Sequence, residues 1–373
     1  MTQQISSISI PRDILPADGR FGSGPSRVRT EALRSLAATG GTFMGTSHRK
    51  PGVRDVVGRI RTGMTSLFSL PDGYEVLLGN GGATAFWDAA AFGLIERRSL
   101  HATFGEFSSK FAGAVAAAPH LEDPVIVEAS PGTCPVVTRA DGVDVYALTH
   151  NETSTGVTMD VTRVADDGLI VVDATSAAGG IEVDPAAFDV YYFSPQKAFG
   201  GDGGLWVAIC SPGAVSRIEA IGAGERYLPP FLSLPIALDN SRKDQTYNTP
   251  ALATIFLLAD SVDWMLGQGG LAWSVGRCAA NAAALYSWAD RSAYASPFVA
   301  DTARRSPVTG TIDLSDAVAA DDIATVLRHH GIIDIESYRK LGRNQLRIGL
   351  WPAIPVADVE ALTASIDYVA ARL

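Results

Sequence analysis

The chain has little cysteine and no long apolar run. Its three cysteines, Cys134, Cys210 and Cys278, are scattered and match no metal-ligand spacing. That excludes a disulfide framework and fits a reducing cytoplasm. No uncharged stretch reaches the roughly 18 residues needed to cross a bilayer, so no membrane partner is expected. The opening, MTQQISSISIPRDI, lacks the basic segment and long apolar segment of a secretory signal. A cytoplasmic location is the expectation. Positive charge is also in short supply: 30 Lys and Arg face 40 Asp and Glu, a net charge of −10. An acidic balance argues against nucleic acid as a partner but not against small anions, which a few local Arg and His can hold. There is no internal repeat and no low-complexity tract.

Core-forming material is ample, with 47% of the 373 residues hydrophobic and 19% charged. The length suggests two domains. The rest of the chain is organised around Gly168–Gly204. Two apolar β-type runs there, Leu169–Val172 and Val190–Phe193, each end in reactive groups. The first delivers Asp173. The second delivers Ser194, Pro195, Gln196 and Lys197, followed at once by glycines. Taken singly, such an Asp is a turn or cap residue and such a Lys a surface residue. Together they suggest pyridoxal phosphate, with the lysine as Schiff-base partner of the aldehyde and the aspartate against the pyridine nitrogen.

Upstream, Gly22, Gly24 and Pro25 form a rigid turn dense in small residues, which suits a backbone passing close to a ligand. Ser26 is a candidate cap for a helix at Thr30–Ala38. His48, Arg49 and Lys50 cluster in a loop, either solvated or placed for anion recognition. An amphipathic helix is expected over Val53–Phe68. The strand Glu75–Leu78 runs through Gly-Asn-Gly-Gly into a helix, an arrangement whose free N–H groups can seat a phosphate. Further strands are expected at Ser99–Thr103, Pro124–Glu128 and Val143–Thr149. Phe104 and Phe107 follow the first of these, and Asn151, Glu152 and Thr153 follow the last. Polar groups thus gather repeatedly at strand ends, where ligands collect in open α/β sheets.

After the glycines come a strand at Leu205–Cys210, a helix from Pro212 and a loop at Leu228–Asp239. Asn248 and Thr249 precede Pro250 at the start of a long helix, with Thr249 a candidate N-cap. The remainder is a smaller α/β segment. It has helices near Leu271–Ala289, Asp321–His330 and Val356–Leu373, and strands at Ile332–Glu336 and Gln345–Leu350. Arg347 lies in an alternating strand, so pointing outward to solvent is its default.

From FGSGP through GTSHR, GNGG, THNET, VVDATS, SPQKAFG, YNTP and QLRIGL, the chain resembles the class V, fold-type I aminotransferases. The resemblance covers nearly the whole chain, and SHR points to the branch of that family that acts on a phosphorylated substrate. It implies a large, mostly parallel seven-stranded sheet domain (20–262), a smaller C-terminal α/β domain (263–373) and an N-terminal segment (1–19). It implies that Lys197 carries the cofactor and shuttles the substrate Cα proton, and that Asp173 pairs with the pyridinium. Gly82, Ala83, Thr84 and Gln196 would hold the cofactor phosphate, completed by Asn248 and Thr249 from the second subunit of a homodimer. Thr153 would bond the phenolic oxygen and Phe107 would stack on the ring. Arg347 would clamp the α-carboxylate, while His48 and Arg49 would meet the distal phosphate or the glutamate side chain. The implied reaction is ping-pong transfer of the amino group of glutamate to 3-phosphohydroxypyruvate, within serine biosynthesis and, as an optional second role, pyridoxine biosynthesis. The alternative is an alanine–glyoxylate or serine–pyruvate aminotransferase. Two positions depart from the common pattern: Phe107 stands where a tryptophan is usual, and the phosphate turn lacks an arginine.

Overall fold

A computed structural model describes residues 8–373; the first seven residues of the expected N-terminal segment lie outside the described residues. The strands are β1 (Glu75–Asn80), β2 (Ser99–Thr103), β3 (Val125–Glu128), β4 (Val145–Thr149), β5 (Asn151–Glu152), β6 (Val157–Thr158), β7 (Leu169–Asp173), β8 (Val190–Phe193), β9 (Leu205–Cys210), β10 (Ala295–Pro297), β11 (Thr309–Leu314) and β12 (Gln345–Gly349). Seven of them form one sheet in the order β1-β9-β8-β7-β4-β2-β3. Strands β3, β2, β4, β7 and β8 run parallel, and β9 runs antiparallel to both its neighbours. The architecture is α/β with a mostly parallel seven-stranded sheet.

Side chains alternate across this sheet and build two cores. Ile170, Val172, Tyr191 and Phe193 face the helices Pro51–Leu67 and Leu252–Gln268. Leu169, Val171, Val190 and Tyr192 face the helices Gly82–Gly93, Pro212–Gly222 and Leu234–Ser241. Both faces are covered, which is why these strands read as continuous apolar runs. Each fully buried Val, Leu, Ile or Phe contributes about 1.5–3 kcal/mol relative to exposure. The period of two decides which way the site residues point. Asp173 has the parity of Val171 and pairs in register with Tyr192, so both face the helix Gly82–Gly93.

The second sheet, β10-β11-β12, is antiparallel. Its core joins Ile312, Leu346 and Ile348 to the helices Gly270–Arg291, Ala320–His329 and Val356–Ala370, and takes in Ile10 and Phe21 from the N-terminal segment. The expected junction at 262/263 falls inside the helix Leu252–Gln268.

Several local expectations are corrected. Ile332–Glu336 is not a strand: Asp334 has φ +63°, and only isolated bridges form, from Ile333 to Arg20 and from Glu336 to Leu346. A left-handed residue breaks the extended run. The segment Leu228–Asp239 is not all loop, because Ser233 caps a helix over Leu234–Ser241 with Pro235 in its first turn. The helix after Pro250 begins at Leu252 with Ala251 as its cap residue, so Thr249 is not the N-cap. Ser26 caps no helix either; its hydroxyl donates to the Lys197 carbonyl.

Candidate active site

The carboxyl ends of the parallel strands converge on a cavity of about 380 Å³. β7 delivers Asp173, β8 runs into Ser194–Lys197, and Asn151 and Thr153 follow β4. β1 runs through Gly81 (φ 109°) and Gly82 (φ 74°) into the helix Gly82–Gly93. Positive φ at both positions lets the chain turn sharply and aim the first-turn N–H groups of the helix at the cavity. No side chain caps that helix start, and no acid lies in its first turn. Gly82, Ala83, Thr84, Phe107 and Gln196 also line the cavity.

Lys197 is 7% exposed, and its Nζ donates to Thr153 Oγ1 at 2.6 Å. Burial lowers its pKa from 10.5 to about 8; Asp173 and Glu152 pull the other way, while Arg347 adds to the lowering. The Nζ lies 5.4 Å from the centre of the Phe107 ring. Gly24 packs on the lysine stem: a Cβ there would lie 2.8 Å from Lys197 Cε, so the small-residue turn at 22–25 lies against Lys197.

Asp173, 5% exposed, accepts from Thr175 N at 2.9 Å through Oδ1 and from Trp87 Nε1 at 3.2 Å through Oδ2. The Tyr192 hydroxyl is buried on the same face without a hydrogen-bond partner among the described residues; burial first, then the Asp173 charge, pushes its pKa well up. Trp87 was not visible as a site residue. The available signal was its position five residues past Gly82, where a helical side chain leans back toward the N-terminus and the strand ends.

Arg347 also lines this cavity. The expected alternation holds, with Leu346 and Ile348 buried in the small core. The opposite face of β12, however, meets the Lys197 cavity and not open solvent. Phe104 is a core residue, fully packed beneath the sheet.

His48, Arg49, Asn248 and Thr249 form a separate cluster and do not line the Lys197 cavity of their own chain. Thr249 Oγ1 lies 3.3 Å from His48 Nδ1, and Asn80 Nδ2 donates to Asn248 Oδ1 at 2.8 Å. Arg49 donates to Gln245 Oε1 at 2.9 Å and to the Tyr247 carbonyl at 3.2 Å. Burial, then the Arg49 charge, lowers the His48 pKa.

Buried polar atoms without partners among the described residues concentrate at the cavity: Ser23 Oγ, Asn151 Oδ1, Thr175 Oγ1, Gln196 Oε1 and Arg347 Nε. Unpaired buried groups cost about 1–3 kcal/mol each, so this concentration marks a site built for a polar ligand. An amine and a carboxylate within one polar-lined cavity can bind and polarise a planar heteroaromatic carbonyl compound.

Comparison with known proteins agrees with this geometry. The family pattern described as aminotransferase class-V matches residues 137–342. A relative from Mycolicibacterium vanbaalenii is 59% identical over 369 residues, covering 98% of this chain and 99% of its own. A phosphoserine aminotransferase of Nocardioides sp. is 57% identical, covering 98% of this chain and 99% of its own. The crystal structure of a phosphoserine aminotransferase from Cytophaga hutchinsonii superposes with a TM-score of 0.85 at 26% identity, over 94% of this chain and 99% of that one. With the family pattern spanning more than half of its length and such relatives nearly all of it, the chain belongs to the class-V aminotransferases.

Proposed function

We propose that the chain is a phosphoserine aminotransferase that uses pyridoxal 5'-phosphate to move the amino group of glutamate to 3-phosphohydroxypyruvate, giving O-phospho-L-serine and 2-oxoglutarate. The observation that carries this reading is a single cavity holding a buried lysine of lowered pKa, a braced carboxylate and a guanidinium with an unpaired Nε. The similarity to proteins named phosphoserine aminotransferase supplies the substrate.

The residues present fit the cofactor. The uncapped helix start at Gly82–Thr84 and the Gln196 side-chain amide, whose Nε2 can donate into the same cavity, suit its phosphate. Asp173 suits its ring nitrogen, Thr153 its phenolic oxygen and Phe107 one ring face. When bound, it supplies an aldehyde for the amino group and a ring that withdraws electrons from the substrate Cα.

The protein's own contribution follows from its charges. A pKa of about 8 leaves part of Lys197 neutral near pH 7–8, so its Nζ can attack a carbonyl and later take and return the Cα proton. Thr153 Oγ1 fixes where that nitrogen stands. Asp173, held by two N–H donors, would face the cofactor's ring nitrogen and favour its protonated form. Arg347 offers its guanidinium to the substrate α-carboxylate.

His48, Arg49, Asn248 and Thr249 act in the site of a second copy of this chain. Their placement outside their own cavity supports this, as does the exposure of Met44, Phe231 and Tyr247, which flank them or the phosphate turn. Because His48 is bonded to Thr249, the four are delivered together. In this reading residues 20–262 bind the cofactor, and 263–373 bring Arg347 over it.

The test is a ketoacid panel with glutamate as donor. Purified protein should carry a visible absorbance band that Lys197→Ala abolishes, and should prefer 3-phosphohydroxypyruvate. Equal turnover of pyruvate or glyoxylate would transfer the assignment to another class-V aminotransferase. A protein that takes up no cofactor would sink the reading.

A further inference from the structure

Arg347 is a mostly buried guanidinium held by almost no polar contact. Its Nη1 reaches the Thr153 carbonyl at 3.5 Å, and its Nε is buried without a partner among the described residues. Burial lowers its pKa. What it does have is the Tyr338 ring, 5.1 Å from the guanidinium carbon to the ring centre.

Tyr338 comes from a segment that folds back over β12. Arg347 N donates to the Ile335 carbonyl at 2.9 Å, and Leu341 N donates to the Tyr338 carbonyl at 2.8 Å. Lys340 then forms an ion pair with Glu106. Glu106 begins the helix Glu106–Ala116, which also carries Phe107, and the Phe107 and Tyr338 ring centres are 6.1 Å apart. Tyr338 is the wall between the Lys197 cavity and a neighbouring cavity of about 230 Å³.

A buried cation must be stabilised by something. A carboxylate partner would do so, but an incoming substrate carboxylate would have to displace it. An aromatic face stabilises the charge while leaving the N–H groups free. We propose that Tyr338 is a positioning residue that holds Arg347 in place through its ring face and keeps the guanidinium edge open for the substrate carboxylate. The tie from Lys340 to Glu106 fixes that ring beside Phe107. This inference rests on the reading of Arg347 as the α-carboxylate receptor.

The test compares Tyr338→Leu, which removes the π face but keeps bulk, with Tyr338→Phe, which keeps the face. In the holoenzyme, KM for glutamate should rise about ten-fold in Tyr338→Leu, with kcat falling far less, and stay within about two-fold in Tyr338→Phe. Pyridoxal phosphate affinity should be alike in all three proteins. A second measurement is independent of turnover: calorimetric binding of glutarate to the cofactor-free protein should weaken in Tyr338→Leu and not in Tyr338→Phe. Tyr338→Met serves where the leucine variant does not fold. Wild-type KM and glutarate affinity in the leucine or methionine variant would overturn the proposal. So would damage in Tyr338→Phe equal to that in Tyr338→Leu, since the hydroxyl would then be the acting group. Absence of any glutamate turnover in the wild type would instead overturn the proposed function, and the glutarate measurement would still decide the role of Tyr338.

Discussion

The Trp87 indole N–H donates to Asp173 Oδ2 across 3.2 Å, joining the helix behind the glycine turn to the end of β7. With Thr175 N on the other oxygen, both carboxylate oxygens have a fixed N–H donor. Trp87→Phe keeps most of the ring volume and removes one donor. A hydrogen bond to a charged group is worth about 1.5–3 kcal/mol, so cofactor affinity should fall by about ten-fold or more. The thermal midpoint of the cofactor-free protein should fall as well. A titration of that protein with pyridoxal phosphate measures the first effect, and an unchanged dissociation constant would remove Trp87 from the site.

Lys197 links stability to pH. Burial holds its pKa near 8 in the folded chain, against 10.5 when unfolded. Well below pH 8 the lysine is protonated in both states, and the folded state bears the full cost of burying the charge. Between pH 8 and 10.5 the unfolded chain binds more protons, so this group makes stability rise with pH. Above 10.5 it is neutral in both states and the cost is gone. At about 1.4 kcal/mol per pKa unit the cost is about 3 kcal/mol. Cofactor-free Lys197→Met should therefore be more stable than wild type at pH 7, by up to that amount, and the difference should shrink as pH passes from 8 to 10.5. Denaturant unfolding at several pH values reads this directly. A constant difference would mean that the lysine is not desolvated.

Those two residues show how far the sequence could be read. Asp173 and Lys197 share one cavity because each follows an apolar strand; the strand period fixes where Asp173 points, whereas Lys197 lies in the turn four residues beyond β8. The strands Ser99–Thr103, Val190–Phe193 and Leu205–Cys210 have the bounds their apolar runs predict. Trp87 was hidden in an alanine-rich helix where an aromatic reads as core. Tyr338 was hidden because a non-local backbone bond, Arg347 N to Ile335 O, folds its segment over the site. Arg347 misled for a related reason: alternation gives the face of a strand but not what lies opposite that face. The strand expected at Ile332–Glu336 failed at Asp334, whose left-handed backbone no apolar pattern reveals.

Gly24 offers a steric test of the lysine pocket. It has φ +134°, and an added Cβ would lie 2.8 Å from Lys197 Cε. Gly24→Ala combines backbone strain of about 1–3 kcal/mol with displacement of the lysine stem. Turnover should fall sharply and the visible band should weaken. Gly203→Ala is the comparison free of both effects, because its φ is not positive and among the described residues nothing lies within 4 Å of its added Cβ. Equal behaviour of the two variants would mean that the turn at 22–25 can move away at no cost.

Arg49 tests both the substrate and the second copy of the chain. Among the described residues of its own chain the guanidinium donates only to Gln245 Oε1 and the Tyr247 carbonyl, neutral acceptors that it can leave for an anion. A charge-assisted contact to a phosphate is roughly twice as strong as a neutral hydrogen bond. Arg49→Ala should therefore lower kcat/KM for 3-phosphohydroxypyruvate by about ten- to a hundred-fold, while pyruvate turnover and cofactor affinity change little. Mixing Arg49→Ala with Lys197→Ala then asks where the arginine acts. Each parent has sites that lack one of the two groups. If Arg49 serves the partner's cavity, a mixed dimer holds one site with both groups intact, and activity on the phosphorylated substrate reappears. If Arg49 serves its own cavity, no site in the mixed dimer is whole and no activity returns.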